Sequence, residues 1–405
     1  MQTNLIEEYR RSLFGPEAEA ILRSCMHCGF CTATCPTYQL LGDELDGPRG
    51  RIYLIKQLLE GGVATRRTQQ HLDRCLTCRA CETTCPSGVR YGRLVDIGRE
   101  LIEQRAPRPA LQRLQRWLLR KVLPYPQRFA PLLFLGQSLR PLLPRVLRHK
   151  VPMRQRVDRE PAARETPPPS RRMLVLQGCA QSATTPQTNV AATQVLAAWG
   201  IELVSAPAAG CCGAVSQHLA AADEAKDFMR RNIDAWWPYI EQGVEAVVIT
   251  ASGCGVMLKE YGELLQQDPI YADKARRVSA LARDLSEVIA KEDLSMIKPR
   301  TTFKQIAFHS PCTLQHGQQL NGLVERILQQ LGYTLVEVED AHLCCGSAGT
   351  YSILQAQLSQ QLLSNKLVAL QQGQPELIAT ANVGCQLHLA TRAGVPVKHW
   401  IELLL

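Results

Sequence analysis

The chain is 405 residues long, enough for two or three domains with real cores. It carries sixteen cysteines, and its polar start, Met1 to Gly15 with Glu7, Glu8, Arg10 and Arg11, is unlike a secretory leader. The expected location is therefore the reducing cytoplasm, where disulfides are rare and thiols stay free to bind metal. The net charge of +9 is uneven: seventeen Lys and Arg against three acids between Arg105 and Arg172 give that stretch +14 and leave −5 for the rest.

Residues 1–104 contain a cysteine phrase written twice. Cys25, Cys28, Cys31 and Cys35 before Pro36 recur fifty positions on as Cys75, Cys78, Cys81 and Cys85 before Pro86. This is the C-x2-C-x2-C-x3-C-P spacing of two-cluster bacterial ferredoxins, in which the fourth cysteine reaches the other cluster. The expected ligand sets are Cys25, Cys28, Cys31 and Cys85 for one [4Fe–4S] cluster, and Cys75, Cys78, Cys81 and Cys35 for the second. Zinc sites usually take cysteines as separated pairs, and disulfides need an oxidising compartment, so both fit this spacing poorly.

Residues 105–170 form the basic segment. Leu111, Leu114, Leu118 and Val122 at helical spacing, with arginines around them, predict an amphipathic helix with a cationic face. Within the segment the longest uncharged run, Phe129 to Leu139, is eleven residues and includes Pro131, too short to cross a bilayer. Trp117, Tyr125, Phe129 and Phe134 among the cations suit either an interfacial anchor on anionic lipid or a linker docked on an acidic partner. No nucleic-acid recognition motif accompanies the charge. The Pro- and Arg-rich stretch through Pro167, Pro168 and Pro169 predicts an exposed linker ending near Ser170.

A second repeat follows, at residues 171–300 and 301–405. Cys179, Cys211-Cys212-Gly213 and Cys254 are echoed by Cys312, Cys344-Cys345-Gly346 and Cys385. Apolar runs Met173–Gln177 and Gln305–His309 lead into helical patterns Val190–Trp199 and Leu320–Leu331. Further apolar runs follow at Ile201–Val204 and Tyr333–Val338, then at Ala246–Thr250 and from Leu377. Two α/β units with parallel sheets are predicted, with the cysteines beyond the carboxyl ends of the strands. Gly213 and Gly346 would permit the irregular turn that two adjacent inward cysteines need. Four cysteines per repeat suffice for a further cluster; the alternative is a set of buried apolar cysteines.

These phrases carry a resemblance. The tail resembles the cysteine-rich CCG domain of heterodisulfide reductases and of the iron-sulfur subunits of flavin dehydrogenases; the head resembles their two-cluster ferredoxin domain. With Asp46-Gly-Pro-Arg-Gly-Arg-Ile-Tyr53, Asn232-Ile-Asp-Ala-Trp-Trp-Pro238 and His342-Leu-Cys-Cys-Gly-Ser-Ala-Gly-Thr-Tyr351, the chain resembles the family of bacterial glycolate oxidase iron-sulfur subunits. The implied fold is multidomain α+β: a mainly helical two-[4Fe–4S] domain followed by a duplicated α/β CCG domain. The implied activity is electron transfer within a complex that oxidises glycolate to glyoxylate, and D-lactate as well. FAD would lie in partner subunits only, and the acceptor would be a quinone or other membrane carrier at the inner face of the cell membrane. The corresponding subunits of glycerol-3-phosphate or D-lactate dehydrogenases are the nearest rivals, and a heterodisulfide-type thiol-disulfide enzyme is the rival from another class. Where that type closes each repeat with Cys-x-x-Cys, this chain has Met257 and His388, which disfavours its non-cubane cluster. His388 is either a nitrogen ligand or an ordinary second-sphere or surface histidine.

No G-x-G-x-x-G after a strand, P-loop, G-x-S-x-G or H-E-x-x-H occurs, so no catalytic residue is expected here and the chain alone should not oxidise substrate. Gly29, Thr32, Thr34, Thr77 and Thr83 could donate hydrogen bonds to cluster sulfurs. Arg49 and Arg51 could offset cluster charge, or equally serve as helix caps and salt bridges.

Overall fold

Helix Pro48–Leu59 shows how the head is built. Pro48 starts it where no amide donor is needed, and Ile52, Ile55, Leu58 and Leu59 form one buried stripe. Against that stripe lies helix Tyr91–Arg105, with Leu94, Val95, Ile97, Leu101 and Ile102 buried. Gly98 makes the crossing close, since a Cβ there would come within 2.6 Å of Ile55. Helices Gly15–Ser24 and Arg66–Asp73 complete the cluster through Ile21, Leu22 and Leu72. The computed structural model describes residues 1–142, 144, 151–154, 168–299 and 302–405; most of the Pro- and Arg-rich linker, Pro167 included, lies outside them.

The described residues fall into two compact units. The first is Met1–Leu118 with Ser216–Ala222 and His342–Lys366, and the second is Leu119–Val215, Asp223–Ala341 and Leu367–Leu405.

The second unit contains two parallel four-stranded sheets of the same order. The first runs β2-β1-β3-β4, with β1 Arg171–Leu176, β2 Ile201–Val204, β3 Val247–Ile249 and β4 Ala282–Asp284. The other runs β6-β5-β7-β8, with β5 Gln305–His309, β6 Thr334–Leu335, β7 Leu377–Thr380 and β8 Val397–His399. All neighbours pair in parallel. Alternation along the strands splits the packing: Met173 and Val248 join a core that also holds Ile306, Phe308, Leu377 and Trp400, whereas Leu174, Leu176, Val247 and Ile249 face Met229, Ile233 and Trp236. The duplicated α/β reading describes this unit well. Beyond it the structure adds β4 and β8, and it shortens the expected Tyr333–Val338 strand to two residues. Three-residue strands with Arg283 or Lys398 at their centre carry no run long enough to register as strands.

The predicted amphipathic helix spans Ala110–Val122 and is followed by helix Pro126–Ser138; neither contains a buried residue. Leu111, Leu114, Trp117 and Leu118 of the first helix and Leu132, Phe134 and Leu135 of the second are exposed. The cationic face is partly spent inside the protein. Arg116 pairs with Asp73 at 2.9 Å, and Arg120 and Lys121 pair with Glu224 at 2.9 and 3.3 Å. Tyr125 is not a free anchor either, because its ring packs on Phe228 with centroids 5.5 Å apart. Among the described residues no helix is long and apolar enough to cross a membrane.

Candidate iron-sulfur sites

The two cysteine runs of the head adopt the same local backbone. Cys25 and Cys75 each follow a helix end. The positions between the first two cysteines, His27 and Thr77, are left-handed at φ 54° and 55°, and so are Gly29 and Arg79 two residues later, at 88° and 62°. The short helices Phe30–Ala33 and Ala80–Thr83 follow. Two reversals within three residues curl each run around a hollow instead of along a strand. Glycine meets this demand without strain at position 29, where Arg49 also covers the backbone and a Cβ would lie 2.8 Å from its guanidinium. Arg79 accepts the same conformation in the second run.

Cys25, Cys28, Cys31 and Cys85 line one cavity, with Cys81 also at its wall. Cys35, Cys75, Cys78 and Cys81 line another. Each cavity thus receives sulfurs from both runs. The fourth cysteines diverge because their prolines do: Pro36 opens helix Pro36–Leu41, while a turn follows Cys85.

Donors aimed at sulfur identify what such cavities suit. The amide of Thr77 donates to Cys75 Sγ at 3.3 Å, and the Tyr91 hydroxyl approaches the same sulfur at 3.5 Å. Thr37 Oγ1 lies 3.3 Å from Cys35 Sγ but gives its own hydrogen to the Asp46 carbonyl at 2.8 Å. Burial and the neighbouring Cys25 push the Cys31 thiol up to about 11, and burial beside Cys78 and Cys75 holds Cys81 well above the thiol range. Sulfurs crowded in this way ionise together only around a cation, so the donor set fits a thiophilic metal cluster. The threonines chosen from sequence act differently from expectation: Thr32, Thr34 and Thr83 turn their hydroxyls to the carbonyls of Gly29, Cys31 and Ala80. Three residues apart in a tight turn, the carbonyl is the nearer acceptor. Thr77 contributes through its amide, while its hydroxyl accepts from Arg99 at 2.8 Å.

In the first CCG repeat four sulfurs form a continuous group. Cys179 follows β1 and Cys254 lies in helix Ser252–Lys259 after β3, both beyond carboxyl ends of strands. Cys179 and Cys211 are close enough to perturb one another's thiols, as are Cys211 and Cys212, and Cys212 Sγ lies 3.4 Å from Cys254 Sγ. The adjacent Cys211 and burial hold the Cys179 thiol well above its usual range. Gly213, at φ +93°, makes the turn, and its amide donates to Cys211 Sγ at 3.4 Å.

Two residues lock this loop. The fully buried Asn232 accepts from the Gly210 amide at 2.8 Å and donates to the Cys211 carbonyl at 2.8 Å, while Tyr261 donates to the Cys212 carbonyl at 2.9 Å. Arg231 lies against Gly210 with its guanidinium 4.9 Å from the Phe228 ring centroid, and its Nε and Nη2 make no hydrogen bond among the described residues. Met257 is part of the apolar core, as a packing residue.

In the second repeat Cys312, Cys344, Cys345 and Cys385 are all buried. Gly346, at φ +88°, repeats the turn and its amide donates to Cys344 Sγ at 3.4 Å; Asn382 Nδ2 approaches Cys385 Sγ at 3.6 Å. His388 is buried and so is not a surface histidine. Asn232 stood in the sequence only as part of a phrase and Thr37 only as a neighbour of Cys35, while Tyr91 and Tyr261 carried no signal: each tyrosine reaches its sulfur or loop from a remote position.

Comparison with known proteins agrees with this layout. Residues 21–89 match the 4Fe-4S dicluster domain family, and residues 173–259 and 306–390 each match the cysteine-rich domain family. The chain is similar to the glycolate oxidase iron-sulfur subunit of Escherichia coli (strain K12), at 56% identity over 100% of this chain and 98% of that protein. It is also similar to the probable glycolate oxidase iron-sulfur subunit of Bacillus subtilis (strain 168), at 30% identity over 96% and 94%. Lactate utilization protein A of the same Bacillus subtilis strain is 29% identical over 54% of this chain and 93% of its own length. With its dicluster head and duplicated cysteine-rich tail, the chain belongs to the family of glycolate oxidase iron-sulfur subunits.

Proposed function

We propose that this chain is the electron-transfer subunit of a flavin-dependent complex that oxidises glycolate to glyoxylate, and D-lactate to pyruvate. The observation that carries the reading is the pair of cavities in the head, each lined by cysteines from both runs. Cys25, Cys28, Cys31 and Cys85 would hold one [4Fe–4S] cluster, Cys75, Cys78, Cys81 and Cys35 a second, and Cys179, Cys211, Cys212 and Cys254 a third. Such clusters take and pass on single electrons without moving a proton. The chain's own contribution is to gather the sulfurs around each site and aim N–H and O–H donors at them. Substrate oxidation, with its two electrons and two protons, belongs to FAD-binding partners, because no flavin motif is present.

The test is to co-purify the chain with its flavin subunits anaerobically and add glycolate. Bleaching of cluster absorbance in the complex, and none in the isolated chain, is expected. Glycolate oxidation by the isolated chain, or a complex whose clusters stay oxidised, would overturn the reading. A thiol-disulfide enzyme is the weaker alternative, since Met257 is committed to core packing.

The exposed apolar residues of Ala110–Val122 and Pro126–Ser138, with Arg113 and Arg128 alongside, support peripheral attachment to the anionic cytoplasmic face of a membrane, near a quinone acceptor. Changing Leu111, Leu114, Trp117 and Leu118 to Ser should cut co-sedimentation with phosphatidylglycerol vesicles at least about tenfold, because each buried apolar side chain contributes about 1.5–3 kcal/mol. Unchanged sedimentation would sink the membrane assignment.

A further inference from the structure

The two head cavities share a cysteine frame but not an electrostatic setting. Arg51 is only 1% exposed and lines the cavity of Cys35, Cys75, Cys78 and Cys81. Its Nε donates to the His71 carbonyl at 2.7 Å, Nη1 to Thr37 Oγ1 at 3.1 Å, and Nη2 lies 3.4 Å from Asp46 Oδ1. Thr37 Oγ1 in turn donates to the Asp46 carbonyl at 2.8 Å and lies 3.3 Å from Cys35 Sγ. Asp46, also fully buried, is shared: Oδ1 meets His71 Nδ1 at 3.0 Å and Oδ2 meets Arg74 Nη1 at 2.8 Å. Two guanidinium charges therefore face one carboxylate, which leaves a surplus positive charge fixed beside these cysteines.

The other cavity has no such surplus from its own arginine. Arg49, two residues earlier on the same helix, lines the cavity of Cys25, Cys28, Cys31 and Cys85 but is 37% exposed and ion-paired with Glu44 at 2.6 Å. Its charge is neutralised by one partner and screened by water.

We infer that Arg51 is a positioning and tuning residue that raises the reduction potential of the cluster at Cys35, Cys75, Cys78 and Cys81 above that of its neighbour. Adding one electron places one more negative charge in this cavity, and a buried unscreened cation favours the reduced state. Electrons entering the head would then settle on this cluster, which gives the relay a direction. The inference rests on the two-cluster reading above.

The test is a potentiometric titration of the anaerobically purified full-length chain, followed by electron paramagnetic resonance, with iron and sulfide counted for every variant. Arg51→Met should lower one of the two head potentials by at least about 59 mV, a tenfold shift in a one-electron equilibrium, and leave the other in place. Arg51→Lys should keep most of the potential, and Arg49→Met should move neither cluster by as much. If Arg51→Met loses its clusters, Asp46→Asn decides: removing the carboxylate should raise the same potential, whereas no rise overturns the inference. Equal shifts in Arg51→Lys and Arg51→Met, or a shift of both clusters together, would also overturn it. A wild-type chain with no iron and sulfide would instead defeat the two-cluster reading itself.

Discussion

Cys35→Ala is expected to remove the cluster of the second cysteine run and spare that of the first. Cys35 belongs to the first run in sequence but lines the cavity of Cys75, Cys78 and Cys81, so its loss should cost about four irons from the second set. Paired variants make the effect decisive. Cys35→Ala combined with Cys75→Ala should lose no more iron than either alone, because both serve one cluster. Cys35→Ala combined with Cys25→Ala should lose both clusters, about eight irons. If each run instead served its own cluster, the two results would be exchanged. Iron and sulfide analysis with electron paramagnetic resonance of the dithionite-reduced chain reads the difference directly.

The second large effect is expected in the first CCG repeat. Cys254→Ser, which breaks the sulfur group at its 3.4 Å contact with Cys212, should lower iron by about four per chain and leave the head signals unchanged. Asn232→Leu should do the same indirectly. It removes the side chain that pins the Gly210 amide and the Cys211 carbonyl, and each buried group left unpaired costs about 1–3 kcal/mol. Loop collapse with a lowered melting temperature and reduced iron is the predicted pair of readouts. Unchanged iron in Cys254→Ser would make these cysteines packing residues.

How much of this was legible in the sequence depended on range. The head's cysteine spacing announced a cluster frame because ligands three residues apart must wrap a turn, and the matching intervals of the tail announced a duplication. The amphipathic helix at Ala110–Val122 was readable from periodicity, and its two flanking acids were not: Asp73 and Glu224 are far away in sequence. Arg49 and Arg51 are equivalent in the sequence phrase. Residues two apart on a helix face different ways, so one meets Glu44 at the surface and the other is sealed with Asp46. The threonines near the cysteines depart from the expectation because a carbonyl three residues back competes for their hydroxyls. Tyr91 and Tyr261 reach their targets only through the tertiary fold.

The measurement that tests the central claim most directly is iron and acid-labile sulfide per polypeptide in the anaerobically purified chain. The account predicts about twelve of each, eight in the head and four in the first CCG repeat. About eight would contradict the third cluster, and iron without sulfide, or almost none of either, would contradict the electron-transfer assignment as a whole.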